Sequence, residues 1–220
     1  MTPLFLFSIL ILMKEKYPLR VKEWKKKIEK YERHRGRKPS FPALLVVDVQ
    51  KFFFSPDSHA YIPSLSLVLP NINKLLQGFR KKNLPVVFTY YAWKEGEDKG
   101  SMGRWWKDAV IEGEERAQLV VAPREEEKIL RKPHYSAFYK TDLEEYLKDK
   151  GVKDVVICGV MTHLCCETTA RDAFMRGFDV YFVMDATATF NEELHLSSLL
   201  TLSHGFAVMV ETEEVIRWLS

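Results

Sequence analysis

Val155-Val156-Ile157-Cys158-Gly159-Val160-Met161-Thr162-His163-Leu164-Cys165-Cys166-Glu167-Thr168-Thr169-Ala170-Arg171-Asp172-Ala173 is the stretch on which the fold turns. It opens with a short, wholly apolar run, Val155 to Cys158, which suits a strand buried on both faces of a parallel sheet. Gly159 ends the run. Thr168, Ala170, Ala173 and Phe174 then recur at helical spacing. Strand, turn, helix is half of a crossover unit, and the chain repeats the pattern on both sides. Further apolar runs lie at Ala43 to Val47, Val86 to Tyr91, Val180 to Met184 and Phe206 to Val210. Helical patterns separate them, roughly Ser66–Lys82, Asp142–Lys150, Glu167–Arg176 and Glu192–Ser203. The alternation predicts an α/β fold: a doubly wound, mostly parallel sheet of about five or six strands with helices on both faces. Ligands in such sheets sit beyond the carboxyl ends of the strands. The polar residues that follow each apolar run are therefore the candidates for chemistry.

The 220 residues suit one α/β domain over 41–220, preceded by an N-terminal extension over 1–40. A formal net charge of +3 on 33 basic and 30 acidic residues gives no footing for a nucleic-acid partner. Three cysteines are too few for a disulfide scaffold and point to a reducing, cytoplasmic setting. Leu4 to Met13 is apolar but only about half the roughly 20 residues a membrane span needs. It lacks a basic lead and a cleavage site, so it reads as a packing extension, or as residues ahead of a true start at Met13. Trp24, Ile28 and Tyr31 then mark an amphipathic helix over Val21–Arg37. Glutamine is scarce and Lys and Glu are abundant, a composition resembling proteins from hot environments.

Asp48 closes the first apolar run, where burial can tune a carboxylate for proton transfer, or where it simply caps a turn. Lys132, between Leu130 and Pro133, reads alone as a solvated charge, but an aromatic cluster follows it: His134, Tyr135, Phe138 and Tyr139. Cys165 lies where a strand gives way to a helix. Backbone N–H groups and the positive helix end there favour thiolate and can hold an oxyanion. The residues alone leave Cys165 open between a reactive thiol and a buried one. Cys158 reads as a small core hydrophobe. Trp93 to Pro123, rich in Gly and holding Trp105–Trp106, reads as an ordered excursion over one end of the sheet, either a lid or an interface.

Three segments in order carry a resemblance: Leu44-Leu45-Val46-Val47-Asp48-Val49-Gln50, Lys132-Pro133-His134-Tyr135-Ser136-Ala137-Phe138 with Thr141, and Ile157 through Ala173. Together they resemble the isochorismatase-like cysteine hydrolases, a superfamily that includes nicotinamidases and N-carbamoylsarcosine amidases. The resemblance implies a catalytic triad of Asp48, Lys132 and Cys165, acting through a Cys acyl-enzyme on a small amide, ureido or carbamoyl compound. It also implies a cis peptide between Val160 and Met161, with the N–H groups of Met161 and Cys165 aimed at the oxyanion. Oligomers are a habit of the family, so a homo-oligomer is expected. His163 departs from the family's usual Asn or Asp at that position. The Asp-x-His metal motif of nicotinamidases is missing from Thr89-Tyr90-Tyr91-Ala92-Trp93-Lys94, and His59 reads as a surface or turn histidine. No metal, no other cofactor and no nicotinamidase activity are expected on that ground. Isochorismatase-type vinyl-ether hydrolysis is the alternative; family members of that type lack the cysteine. A non-hydrolytic redox or ligand-sensing role for the vicinal Cys165–Cys166 pair is a further one. Phe53, Trp105, Tyr135 and Phe138 are the expected pocket residues, with Asp172, Asp185, His195 and His204 as structural groups.

Overall fold

The molecule is a computed structural model that describes the backbone of residues 3–106 and 108–220, and side chains from Lys16 onward apart from Lys107. In chain order the elements are α1 (Pro3–Ile28), β1 (Pro42–Val47), α2 (Lys51–Phe54), α3 (Leu65–Lys81), β2 (Val86–Tyr91) and α4 (Gly100–Trp106). There follow β3 (Lys128–Lys132), α5 (Leu143–Asp149), β4 (Asp154–Val160), a π turn (Thr162–Cys166) and α6 (Glu167–Met175). The chain closes with β5 (Asp179–Ala188), α7 (Glu192–Gly205), β6 (Val208–Val210) and α8 (Thr212–Trp218).

The six strands form one parallel sheet in the order β3-β2-β1-β4-β5-β6. Every residue of β1 and β4 is buried, as an apolar strand covered on both faces requires. Alternate side chains go to opposite layers. Leu44 and Val46 join the core under α3, with Val68, Ile72 and Phe79. Ala43, Leu45 and Val47 join the other core, with Leu147 of α5, Ala170 of α6 and Leu199 of α7. Trp24 and Ile28 of α1 pack into this second core. The strand order reverses between β1 and β4, so a crevice opens at their carboxyl ends. The two strands approach so closely there that a Cβ on Gly159 (φ +117°) would lie 2.1 Å from the Val47 carbonyl oxygen. Only glycine fits.

The structure departs from the sequence expectations in three places. β3 is a sixth strand that the apolar runs do not announce: it lies at the sheet edge, and of Lys128–Lys132 only Leu130 and Lys132 are buried. α1 ends at Ile28 rather than Arg37, because nothing from Glu29 to Lys38 buries a side chain, and Tyr31 is exposed. β5 runs on to Ala188 through a register shift opposite Ile157 to Gly159, which places Asp185 inside the strand. The apolar Leu4–Met13 run continues as helical backbone, and its side-chain packing lies outside the described residues. Among the described residues no helix is long and apolar enough to cross a membrane.

Candidate active site

Three strand ends deliver three side chains to the crevice. β1 ends at Val47, and Asp48 follows with φ +52°, a left-handed backbone that few residues other than Gly, Asn and Asp adopt readily. Its N–H donates to the Thr89 carbonyl at 3.1 Å, and the Thr89 hydroxyl donates to Asp48 Oδ1 at 2.6 Å. The other carboxylate oxygen, Oδ2, lies 2.6 Å from Lys132 Nζ. Lys132 is the last residue of β3, and its side chain is fully buried, as is that of Asp48. The ammonium also donates to the His134 carbonyl at 2.8 Å and to Cys165 Sγ at 3.2 Å. A buried charge is tolerable only when paired and hydrogen-bonded: Asp48 pairs with the ammonium, and His134 and Cys165 accept hydrogen bonds from it. Burial alone would pull the Lys132 proton affinity down; the charge of Asp48 and contact with Cys165 overcome it and leave it above the ordinary value.

Cys165 sits in the π turn, 6% exposed. Burial pushes its thiol up to about 12; Lys132 pulls it down and Asp48 pushes it up. Burial thus opposes loss of the thiol proton, which the helix end and Lys132 favour. That proton has a carboxylate to go to and an ammonium to stabilise what it leaves behind. The Val160–Met161 peptide is cis, and Met161 begins the turn, its carbonyl accepting from the N–H groups of Leu164 and Cys166. Cys158 and Cys166 are buried, burial raises both thiols, and all three cysteines are free.

Above Cys165 lies a pocket of about 290 Å³ with aromatic walls. Phe53 and Tyr135, both expected there, line it. So do Phe52, Tyr91, Trp106 and His163. The Trp106 indole N–H donates to the Tyr135 hydroxyl at 2.7 Å, and Trp93 donates to the Tyr91 hydroxyl at 2.9 Å, so the walls brace one another. Two expectations are corrected. Trp105 is 77% exposed and does not line the pocket. Consecutive residues of α4 point about 100° apart, and it is Trp106 that turns inward. Phe138 is buried in the core, stacked on Phe178 with centroids 5.8 Å apart. The Ala137 N–H donates to Thr169 Oγ1, which pins this segment against α6 and keeps the Phe138 ring below the pocket. The Trp93 to Pro123 excursion supplies pocket wall through Met102, Trp106 and Asp108.

His59 also lines the pocket, its Nδ1 3.2 Å from Asp108 Oδ2 and its ring stacked on Trp106. Among the described residues no group of three or more His, Cys, Asp or Glu side chains is arranged to hold a metal ion. Asp172 accepts from Ser136 and Arg176, and Asp185 from Thr212 and Asn71. His204 lies at the surface beside Tyr31 and Arg33. Sequence reasoning missed Thr89, whose place one strand over from Asp48 follows from register, and Trp106, whose inward phase no short pattern reveals.

The chain matches the model of the isochorismatase domain over residues 42–214. It is 41% identical over 194 residues to a protein named Nicotinamidase 3 from Arabidopsis thaliana, covering 86% of this chain and 94% of that one. Its fold is similar to that of a cysteine hydrolase from Pseudomonas syringae pv. phaseolicola, with TM-score 0.80 and 28% identity, covering 83% of this chain and 95% of the other. It is also similar to N-carbamoylsarcosine amidase from Thermoplasma acidophilum, with TM-score 0.70 and 25% identity over 79% of this chain and 98% of that one.

Proposed function

The chain belongs to the isochorismatase family of hydrolases, and from that premise we propose that it is a cysteine hydrolase of small, uncharged carboxamides. One observation carries the reading: in a buried corner a single ammonium touches both a carboxylate, at 2.6 Å, and a thiol, at 3.2 Å.

In this reading Sγ of Cys165 attacks the amide carbonyl carbon while Asp48 takes the thiol proton, since a thiol pushed up to about 12 is a poor nucleophile until it loses that proton. Lys132 holds Asp48 in place and stabilises the charge building on sulfur. The carbonyl electrons move to oxygen, which the N–H groups of Met161 and Cys165 receive. Collapse of the adduct breaks the C–N bond, and Asp48 returns the proton to the departing nitrogen, leaving a thioester. Water attacks the thioester and gives its proton to Asp48, which passes it to the leaving sulfur; the product is the carboxylic acid. No step draws on a metal.

The pocket favours a flat, apolar acyl group. Phe52, Phe53, Trp106 and Tyr135 offer ring faces, and the His59–Asp108 pair offers one polar contact. Nicotinamide is the first compound to try, on the strength of the relative that bears its name, although the chain lacks the Asp-x-His motif expected of nicotinamidases. The test is ammonia release from a panel of aromatic carboxamides, ureido acids and carbamoyl amines, run on the wild type and on Cys165→Ala. Turnover by the wild type and none by the variant is expected. Hydrolysis of an isochorismate-type vinyl ether that survives Cys165→Ala would overturn the reading.

A further inference from the structure

Thr162 opens the π turn that carries Cys165, and it is fully buried. Its hydroxyl lies 2.9 Å from Nδ1 of His195, which is also buried and comes from α7. Burial pushes the His195 ring down to about 4, with the Met184 carbonyl opposing, so the ring is neutral near pH 7. A neutral ring can meet the Thr162 hydroxyl at Nδ1 as donor or as acceptor, according to its tautomer, and its buried Nε2 has no hydrogen-bond partner among the described residues. The next residue of the turn is fastened to the same neighbourhood. His163 Nδ1 lies 2.6 Å from the hydroxyl of Thr189, in the loop that leads into α7.

α1 covers one side of His195. Trp24 lies against its ring, centroids 4.4 Å apart. The Trp24 indole N–H donates to Glu192 Oε1 at 2.9 Å, and Glu192 Oε2 pairs with Arg20 at 2.6 Å. The helix is thereby fixed to the first turn of α7 at the level of the imidazole. α1 lies wholly outside the residues that match the isochorismatase domain. A segment added to the family domain thus reaches the cysteine turn through one side chain.

We infer that His195 is a positioning residue: its imidazole, roofed by Trp24 of α1, fixes the Thr162 hydroxyl and so the entry of the turn that presents Cys165 to the substrate. The inference rests on Cys165 being the nucleophile. Its effect belongs in kcat, because the pocket walls that bind the acyl group come mostly from other segments. Loss of the contact lets the turn drift and withdraws the sulfur from the Lys132 ammonium, which lowers its proton affinity.

The test compares His195→Leu with His195→Asn, whose side-chain amide falls near the position of Nδ1 and can accept from or donate to the Thr162 hydroxyl. His195→Leu is expected to lower kcat about ten- to a hundredfold, the scale on which small misplacements act, with little change in KM. It should slow iodoacetamide alkylation of Cys165 at pH 8, located by peptide mass, about threefold or more. His195→Asn should recover most of both. Trp24→Ala should move both in the same direction by less. Wild-type rates in His195→Leu, faster alkylation, or failure of His195→Asn to rescue would overturn the inference. If His195→Leu does not fold, Thr162→Val against Thr162→Ser asks the same question from the other end of the bond. Alkylation needs no substrate, so an enzyme that released ammonia from no amide would sink the proposed function and still leave this inference to be judged.

Discussion

The corner that holds Asp48, Lys132 and Cys165 and the pocket directly above it are made of opposite materials. The corner is ionic and closed: Asp48 and Lys132 have no exposed surface, and Thr89 and the His134 carbonyl take up neighbouring hydrogen bonds. The pocket is aromatic and partly open, its walls drawn mostly from α2, α4 and the loops after β1, β2 and β3, with Tyr91 from the end of β2 and His163 from the π turn. Each corner residue stands at or near the end of a strand whose register the sheet fixes. The pocket residues stand on short helices and loops whose phase depends on tertiary packing. The carboxyl end of a sheet can therefore hold three reactive groups to within about 0.5 Å while the walls vary to suit another acyl group.

The comparison breaks first, if it breaks, at Asp48. Asp48→Asn should cut turnover by about 10²–10⁴-fold through loss of the proton acceptor. The same change should make Cys165 more reactive toward iodoacetamide. The Asp48 charge raises the thiol, whereas Lys132 lowers it and stays, so the thiol pKa of the variant falls from about 12 and its alkylation at pH 8 speeds up. Opposite signs on the two assays are expected; loss of both would mean that Asp48 only holds the fold.

Next in size is Lys132→Met. It leaves the Asp48 carboxylate buried without its cation, which costs about 3–5 kcal/mol of stability by denaturant unfolding. Combining it with Asp48→Asn removes the orphaned charge and should recover part of the loss. If the double variant is no more stable than Lys132→Met, the pair is not coupled as described.

The smallest effects separate the two tryptophans. Trp106→Ala removes one aromatic wall and should raise KM about two- to tenfold, the worth of one such contact, with kcat little changed. Trp105→Ala, at an exposed site, should change KM by less than about twofold. Equal effects from the two would place α4 in a different phase over the pocket.

The same contrast explains what the sequence made legible. Asp48 stands out because an apolar run ends just before it, and Cys165 because a like run gives way to a turn and then a helix; buried parallel strands announce their ends in that way. Lys132 does not. β3 is an edge strand of alternating burial, Lys-Ile-Leu-Arg-Lys, and nothing in that pattern says that its final lysine points into the protein; the resemblance, not the spacing, marked it. The burial of Cys165, which raises its thiol against the pull of Lys132, is likewise not written in the motif. In the pocket, Trp105 and Phe138 were reasonable expectations that failed on phase alone, one facing solvent and the other the core. The contact between α1 and α7 joins residues 168 positions apart, which no local pattern anticipates.

The central claim is that the Cys165 sulfur takes the acyl group while Asp48 and Lys132 serve it. Acid-quenching the enzyme during turnover of a carboxamide it accepts, then weighing its peptides, tests this most directly. The account predicts the mass of the acyl group on the peptide containing Cys165, and neither adduct nor ammonia from Cys165→Ala. Wild-type ammonia release by Cys165→Ala, or an acyl group carried on any other residue, would contradict it.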